Sequence, residues 1–433
     1  MTDHGSYWNS FLQIATISDI GMRRTNNQDN LAVSLSNNLE RWRERGHLFV
    51  VADGMGAHAA GELASEIACD QVPQLYSKFD QVSPPEALKK AVVEANAIIN
   101  RKGQANEEFF NMGTTCSALL ILPQGAVVAH VGDSRVYMLR NQELNQLTAD
   151  HSLVWEMRAG GHLSADDEAA NFIPKNVITR SLGPYPDVKV DLEGPFPTQK
   201  GDAFLLCSDG LTGLVNDEEI GTILATMPPD DAVQFLTDLT NLRGGPDNIT
   251  IIVVKIIHHD LTTQQSSNQP LTVRTKKIKP AHPLAWACFA GLALATVILG
   301  ITTRDLTATL VPGVGTAIAL IWILVQKGGV SAGVVEVGKQ QRFGKGPYVR
   351  AKCVAGESLV SKLKVISDEL RSAAKISKFD TEKTDAVLLN ARTATEASRF
   401  SDAVREYARA ISTIMDQIRR KSGNQASGSA VDL

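Results

Sequence analysis

Cysteine is scarce in this chain of 433 residues, and the five present, Cys69, Cys116, Cys207, Cys288 and Cys353, are odd in number, scattered and free of any Cys-x-x-Cys spacing. That excludes a disulfide framework and a thiolate zinc site, and makes a reducing compartment the natural setting. The first twenty residues include Asp3 and lack an uninterrupted apolar core, so no cleavable signal peptide is read there. Basic residues are sparse in the front of the chain. Residues 1–257 carry 19 Lys and Arg against 33 Asp and Glu, a net −14, whereas residues 258–433 carry 24 against 14, a net +10. So acidic a front half is a poor surface for nucleic acid, whose phosphates need clustered Lys and Arg. It suits a site that gathers cations. Hydrophobic content of 43% and charged content of 21% exclude global disorder and a polytopic membrane protein. The length calls for two or three folded units.

What is present from Phe11 to Ile257 is an alternation of short apolar runs with amphipathic helical stretches. His47–Ala52, Ala118–Leu122, Val127–Val131, Ala203–Cys207 and Ile249–Ile257 are β-branched-rich, of strand length and bounded by Gly, Asp or Pro. Gly61–Lys78 and Pro85–Asn100 repeat apolar residues at three-to-four spacing, which predicts helices. Strands and helices mixed without a regular βαβ repeat predict an α+β layered fold.

Four aspartates stand where these strands begin or end. Asp53, Asp133 and Asp209 follow apolar runs, and Asp247 precedes one. Strands lying side by side would gather the carboxylates in one small volume, where like charges stay ionised only beside a neutralising cation. Carboxylate oxygens without Cys favour Mg²⁺ or Mn²⁺ over Zn²⁺. Taken singly, an Asp-Gly after a strand is also an ordinary turn former. The set is harder to dismiss, because the surrounding words match too.

Those words are Arg24-Thr25-Asn26-Asn27-Gln28-Asp29, Val51-Ala52-Asp53-Gly54-Met55-Gly56-Ala57-His58, Gly113-Thr114-Thr115, Val131-Gly132-Asp133-Ser134-Arg135, Thr148-Ala149-Asp150-His151-Ser152, Ile178-Thr179-Arg180-Ser181-Leu182-Gly183, Ser208-Asp209-Gly210-Leu211-Thr212 and Gly245-Pro246-Asp247-Asn248. In that order they resemble the bacterial branch of the PPM, or type-2C, metal-dependent Ser/Thr phosphatases, over essentially all of residues 11–257. The resemblance implies a β-sandwich of two antiparallel sheets flanked by helices, with metals at one edge. It implies that Asp53 bridges two cations, Mn²⁺ or Mg²⁺, and that Gly54 offers a backbone carbonyl. Asp209 and Asp247 then complete one metal, Asp29 supports the second chiefly through water, and Asp133 serves a weaker third. Arg24 is implied as the phosphate-binding residue, its planar fork of N–H donors suiting two oxygens at once. The chemistry implied is hydrolysis of phosphoserine and phosphothreonine in proteins by a water activated between two metals, with no covalent phospho-enzyme, opposing a Ser/Thr kinase.

Several positions depart from the family's pattern. Gln28 stands where eukaryotic relatives place a Glu ligand, Met55 where some place a His, Ala57 in place of a Gly, and Gly213 where some add a carboxylate for the third metal. His58 is an alternative acid or a turn residue, and His258-His259 read as solvated. Residues 151–183 resemble the family's flap, a segment beside the site that influences substrate choice. Its Trp155 and Met157 read as packing residues, with contact to substrate the alternative.

The organisation expected is a phosphatase domain over 10–257, a basic linker over 258–282, a two-helix transmembrane hairpin over 283–326, a Gly/basic linker over 327–352, an α-helical domain over 353–421 and a disordered tail over 422–433. Uncharged stretches at 280–303 and 306–326 are separated only by Arg304 and Asp305, which permits only an antiparallel return. Arg274, Lys276, Lys277 and Lys279 before the pair and Lys327, Lys339, Arg342, Lys345, Arg350 and Lys352 after it place both ends in the cytoplasm, with Trp286 and Trp322 at one interface. Pro312, Gly313 and Gly315 interrupt the second stretch but are tolerated in membrane helices. Phe400, Val404, Tyr407, Ile411, Ile414, Met415 and Ile418 mark one apolar helical face. The alternative is a membrane-tethered adaptor or a phosphoprotein-binding pseudophosphatase that works through these helices. The intact Asp53, Asp209 and Asp247 favour the enzyme.

Overall fold

The computed structural model describes residues 7–56, 59–163, 173–174, 177–263, 272–278, 283–303, 306–327, 330–336, 342–377 and 379–422. Ala57, His58, Arg304, Asp305 and residues 423–433 of the expected tail lie outside them, as do parts of the expected flap and of both linkers.

Two antiparallel sheets form as the apolar runs require. One is ordered β1 (Leu12–Asp19), β11 (Ile249–Ile256), β10 (Ala203–Cys207), β7 (Arg135–Arg140), β8 (Glu143–Gln146) and β14 (Val349–Lys352). The other is ordered β2 (Asp29–Ser34), β3 (His47–Met55), β5 (Cys116–Leu122), β6 (Gly125–Val131) and β9 (Asp191–Phe196), with β4 (Gly113–Thr114) paired to the end of β3. Successive side chains on a strand point to opposite faces. Phe204, Leu206, Ile252 and Val254 accordingly join Phe49, Val51, Leu119 and Val128 in the core between the sheets. Leu205, Cys207, Ile251 and Val253 point the other way, into a second core. Burial on both faces is why these central strands read as continuous apolar runs.

The helices are α1 (Leu39–Arg45), α2 (Ala60–Lys78), α3 (Pro84–Ala105), α4 (Leu153–Ala159), α5 (Asp209–Thr212), α6 (Asp217–Thr226), α7 (Pro229–Leu242), α8 (Pro283–Thr303), α9 (Leu306–Lys327), α10 (Glu357–Ile376), α11 (Glu382–Glu396) and α12 (Phe400–Ser422). Helix α2 lies on β2 and β3, and α3 packs on α2. Helix α6 starts at a capping box in which Asn216 accepts from the Glu219 N–H and Glu219 reaches back to the cap.

The chain divides into two compact units, the first spanning Met1–Phe79, Pro84–Gln269 and Gln341–Leu433, the second Asp80–Ser83 and Pro270–Gln340. The C-terminal helices therefore fold with the sandwich rather than as a separate body. Val404, Tyr407 and Ile411 of α12 share the second core with Ile220 of α6, Phe235 and Leu236 of α7 and Leu205 of β10. The end of the stretch expected as a linker is likewise structured, since Val349–Lys352 pairs along β8 from Val349↔Gln146 to Lys352↔Glu143. Ser422, assigned to the tail from sequence, closes α12.

In the second unit, α8 and α9 pack on each other and β12 (Thr272–Ile278) pairs antiparallel with β13 (Val330–Glu336). The expected pair of apolar helices is thus present. Among the described residues no helix is long and apolar enough to cross a membrane, so the structure does not show the transmembrane span expected over 283–326. The side chains described run over 284–299 and 301–302 of α8 and 310–322 of α9.

Candidate active site

Strand pairing brings the predicted carboxylates together. Asp29 and Asp53 are direct cross-strand partners at the end of the β2–β3 ladder. In the other sheet, the antiparallel β10–β11 pair sets the end of β10, from which Asp209 opens α5, against the start of β11, just after Asp247 and Asn248. Asp133 sits in the turn between β6 and β7. Two sheet edges thereby present five aspartates to one region.

The backbone around Asp53 is fully engaged, leaving its side chain for the cluster. Its N–H donates to Thr115 Oγ1 at 2.8 Å, and its carbonyl accepts from the Thr115 N–H at 2.8 Å and from Thr114 Oγ1 at 2.9 Å. Gly54 follows where the chain passes close to its neighbours, since a Cβ there would overlap the carbonyl oxygens of Gly61 and Gln28. Asn248 fixes the loop that carries Arg24 to Asp29. It accepts from the Gln28 N–H at 2.8 Å and donates to the carbonyls of Ile20 and Asn26 at 2.9 and 3.1 Å.

Electrostatics mark the cluster as self-repelling. Burial, followed by the charge of Asp29 and then Asp209, Asp133 and Asp247, holds the Asp53 carboxyl well above the usual range. Burial pushes Asp29 up to about 7 against hydrogen bonds from Ser208 and Thr250, and pushes Asp133 up to about 8 with help from Asp209 and Asp150. Burial and then Asp247 raise Asp209, against a hydrogen bond shared with Asp53. Asp29 Oδ2 accepts from Ser208 Oγ at 2.7 Å, and Asp247 Oδ2 from Arg24 Nη2 at 2.8 Å. Asp133 Oδ1 is buried with no partner. Among the described residues no three His, Cys, Asp or Glu side chains form a ready-made metal cage. The carboxylates nevertheless lie near enough that the charges of Asp29, Asp209, Asp133 and Asp247 all add to the shift at Asp53. An acid-only set of hard oxygens with one orphaned buried oxygen is what a divalent Mg²⁺- or Mn²⁺-like cation fits.

Several residues that sequence reasoning quoted without assigning a role position the cluster. The Gly132–Asp133 turn is clasped by His151, whose Nδ1 accepts from the Gly132 N–H at 3.0 Å while its N–H donates to the Gly132 carbonyl at 2.7 Å. That leaves the Nε2 proton for Asp191 Oδ2 at 3.0 Å. Arg180 Nη1 binds the other oxygen of Asp191, also at 3.0 Å. Arg135 grips Asp150 through Nε at 3.0 Å and Nη2 at 2.6 Å. Their signal was membership in the quoted words, except for Asp191, which lies in none of them. Of the remaining candidates, Gly213 caps α5, His258 accepts from the Asp260 N–H in a surface turn, and Trp155 packs edge-on against Tyr348 at 6.0 Å.

The sequence profile of Protein phosphatase 2C matches residues 22–244, half of the chain, and takes in Asp29, Asp53, Asp133 and Asp209, with Asp247 three residues beyond its end. The chain belongs to the protein phosphatase 2C family. It is a serine/threonine protein phosphatase by that membership. Protein phosphatase PhpP of Streptococcus pneumoniae is 36% identical over 253 residues, 58% of this chain and 99% of that protein. Serine/threonine phosphatase stp of Listeria monocytogenes is 37% identical over 251 residues, 57% of this chain and 95% of its own. Among solved structures, the Mycobacterium tuberculosis phosphatase PstP/Ppp superposes with a TM-score of 0.50 at 33% identity, covering 57% of this chain and 100% of that one. These matches account for under three-fifths of the chain.

Proposed function

We propose that this phosphatase hydrolyses phosphoserine and phosphothreonine in proteins with two divalent cations, Mn²⁺ or Mg²⁺, and a weaker third. The observation that carries the reading is the convergence of Asp29, Asp53, Asp133 and Asp209, whose carboxyls burial and neighbouring charge hold above the usual range, beside the partly exposed Asp247. Asp53, with the Gly54 carbonyl beside it, would stand between the two cations. Asp209 and Asp247 would complete one, Asp29 the other, and Asp133 the third. Bound there, the cations supply an activated water and offset charge on the transferring phosphoryl group. Ser208 and Asn248 hold Asp29 and its loop in register through the hydrogen bonds already described. Arg24 would take two phosphate oxygens in its planar fork, exchanging its ion pair with Asp247 for the substrate. Its guanidinium, half exposed at the edge of the cluster, has room for that exchange. The substrates would be phosphoproteins made by an opposing Ser/Thr kinase. Hydrolysis of a phosphothreonine peptide by the full chain with Mn²⁺, Mg²⁺ or a chelator tests the reading, and turnover indifferent to the chelator defeats it.

A second reading is that α8 and α9 tether the phosphatase to a membrane, with the phosphatase and the C-terminal helices both on the cytoplasmic side. The observation that favours it is the solvent exposure of large apolar side chains around both helices, including Ile301 at 74% and Val311 at 79%. The complete helices hold 21 and 22 residues, a rise of about 31–33 Å. The flanking positive charges set the orientation. Cell fractionation with and without residues 280–327 tests it, and a full-length protein released from membranes by high salt alone would sink the tether.

A further inference from the structure

Strand β9 has two grips, and they face different partners. Asp191 at its start holds His151 and Arg180, which belong to the 151–183 segment. Two residues on, the buried Glu193 holds a stretch from beyond the inserted hairpin. Its Oε2 accepts from the Gly346 N–H at 2.9 Å and its Oε1 from the Tyr348 hydroxyl at 2.6 Å. Next along the strand, Gly194 bridges to Phe343 with N–H···O bonds of 3.2 and 2.6 Å. The intervening Gly344, at φ +63°, lacks the Cβ that would strike the Glu193 carboxyl. Arg342 closes the stretch by donating to the Gly346 carbonyl at 2.6 Å, and the Tyr348 N–H donates to Gln146 O at 2.8 Å, leading into β14.

The same Tyr348 meets the 151–183 segment directly. Its ring stands 6.0 Å from Trp155 at an interplanar angle of 77°, the edge-to-face arrangement that aromatic pairs favour. Trp155 lies on α4, a helix of two turns whose own supports are few. The Ser152 side chain caps it, the Leu153 N–H donates to Val177 O at 3.0 Å, and Thr179 Oγ1 donates to Glu156 at 2.6 Å. No residue of α4 is fully buried. So short a helix does not hold its place alone, because nucleation costs more than two turns return. Tyr348 supplies it with an aromatic contact from a segment that the matched family profile, ending at residue 244, does not include.

We propose that residues 342–348 are a positioning element for the phosphatase, in which Glu193 fixes Tyr348 and Tyr348 fixes α4 for the engagement of protein substrates. The inference rests on the phosphatase reading of the site and on the resemblance of 151–183 to a substrate-selecting flap. Large substrates need α4 in one place. A small aryl phosphate reaches the metal cluster without touching it.

The test compares wild type with Y348A, Y348F and W155A in the full chain, on a phosphothreonine peptide and on p-nitrophenyl phosphate. Y348A and W155A are expected to raise KM for the peptide about five- to tenfold. For Y348A, kcat/KM on p-nitrophenyl phosphate stays within twofold. The double variant is expected to be no worse than either single one, since both remove the same contact. Y348F, which keeps the ring and loses the hydroxyl, should fall between wild type and Y348A. Equal losses on both substrates, additive losses in the double variant, or unchanged peptide KM in Y348A would overturn the proposal. Hydrogen exchange reads the positioning without any turnover, so an inactive preparation still decides the matter. The amides of Leu153–Ala159 should exchange at least tenfold faster in Y348A while those of β7 and β10 keep their protection, and unchanged exchange across α4 would contradict it.

Discussion

The guanidinium of Arg24 lies 2.8 Å from the carboxylate of Asp247, so the residue proposed for phosphate and a residue proposed for metal are each other's partner. Both side chains are substantially exposed, and such a pair contributes little to stability. The consequence of R24A is therefore kinetic. KM for a phosphothreonine peptide is expected to rise about tenfold or more, while stability stays within about 0.5 kcal/mol. The Mn²⁺ concentration for half-maximal activity should not increase, because removing Arg24 frees Asp247. A peptide KM equal to wild type would remove Arg24 from the site.

Asp53 sits among buried carboxyls that raise its pKa, which makes it a cost to the metal-free protein and a necessity for the reaction. D53N is expected to lower turnover by several orders of magnitude in saturating Mn²⁺. In excess chelator the same variant should melt a few degrees above wild type, since about 1 kcal/mol of repulsion and carboxylate burial is relieved. Thermal melts of both proteins in chelator check this. A D53N protein less stable than wild type there would mean that the carboxylates are not crowded.

Much of the sandwich and its cluster was legible in the sequence. Asp53 ends and Asp247 precedes apolar runs long enough to be strands, and the antiparallel pairing of those strands suffices to bring such ends together. The return of the chain was not legible. Val349–Lys352 alternates over only four residues inside a Gly- and Lys-rich stretch, too short a pattern to announce an edge strand. The apolar face of α12, from Val404 to Ile418, was plain, but periodicity names a face and not its partner, which proved to be α6, α7 and the outer side of β10. Glu193 and Tyr348 lie 155 residues apart and carry no shared motif.

The docking of α12 is fastened by Arg419 on Asp238, whose side chain is fully buried on α7. Removing one partner strands the other's charge, so R419A should destabilise by about 3–5 kcal/mol, and D238N/R419M should recover most of that loss. Because α12 shares its core with the sandwich, the loss should appear in one transition that unfolds both. Circular dichroism melts check it, and a phosphatase transition unmoved by R419A would show the helices to be independent.

His47 is buried beside Trp8, its Nδ1 accepting from the Ser36 N–H at 3.1 Å, and burial lowers its pKa to about 3. A folded pKa below the unfolded value of about 6.5 gives stability that is present above pH 6.5 and lost as the pH falls toward 3. Wild type should therefore lose stability below pH 6.5 faster than H47F, by up to about 1.4 kcal/mol per pH unit. Urea unfolding at pH 7, 6 and 5 measures the two slopes, and parallel slopes would contradict the neutral, buried histidine.

The central claim is that five aspartates at one edge of the sandwich hold divalent cations that drive hydrolysis of protein phosphoesters. The most direct measurement is phosphate release from a phosphothreonine peptide by the full chain, first with Mn²⁺, then with excess chelator, then with Mn²⁺ restored. The account predicts turnover, its loss and its recovery, with D209N inactive throughout. Turnover that survives the chelator, or a D209N protein as fast as wild type at limiting Mn²⁺, would contradict it.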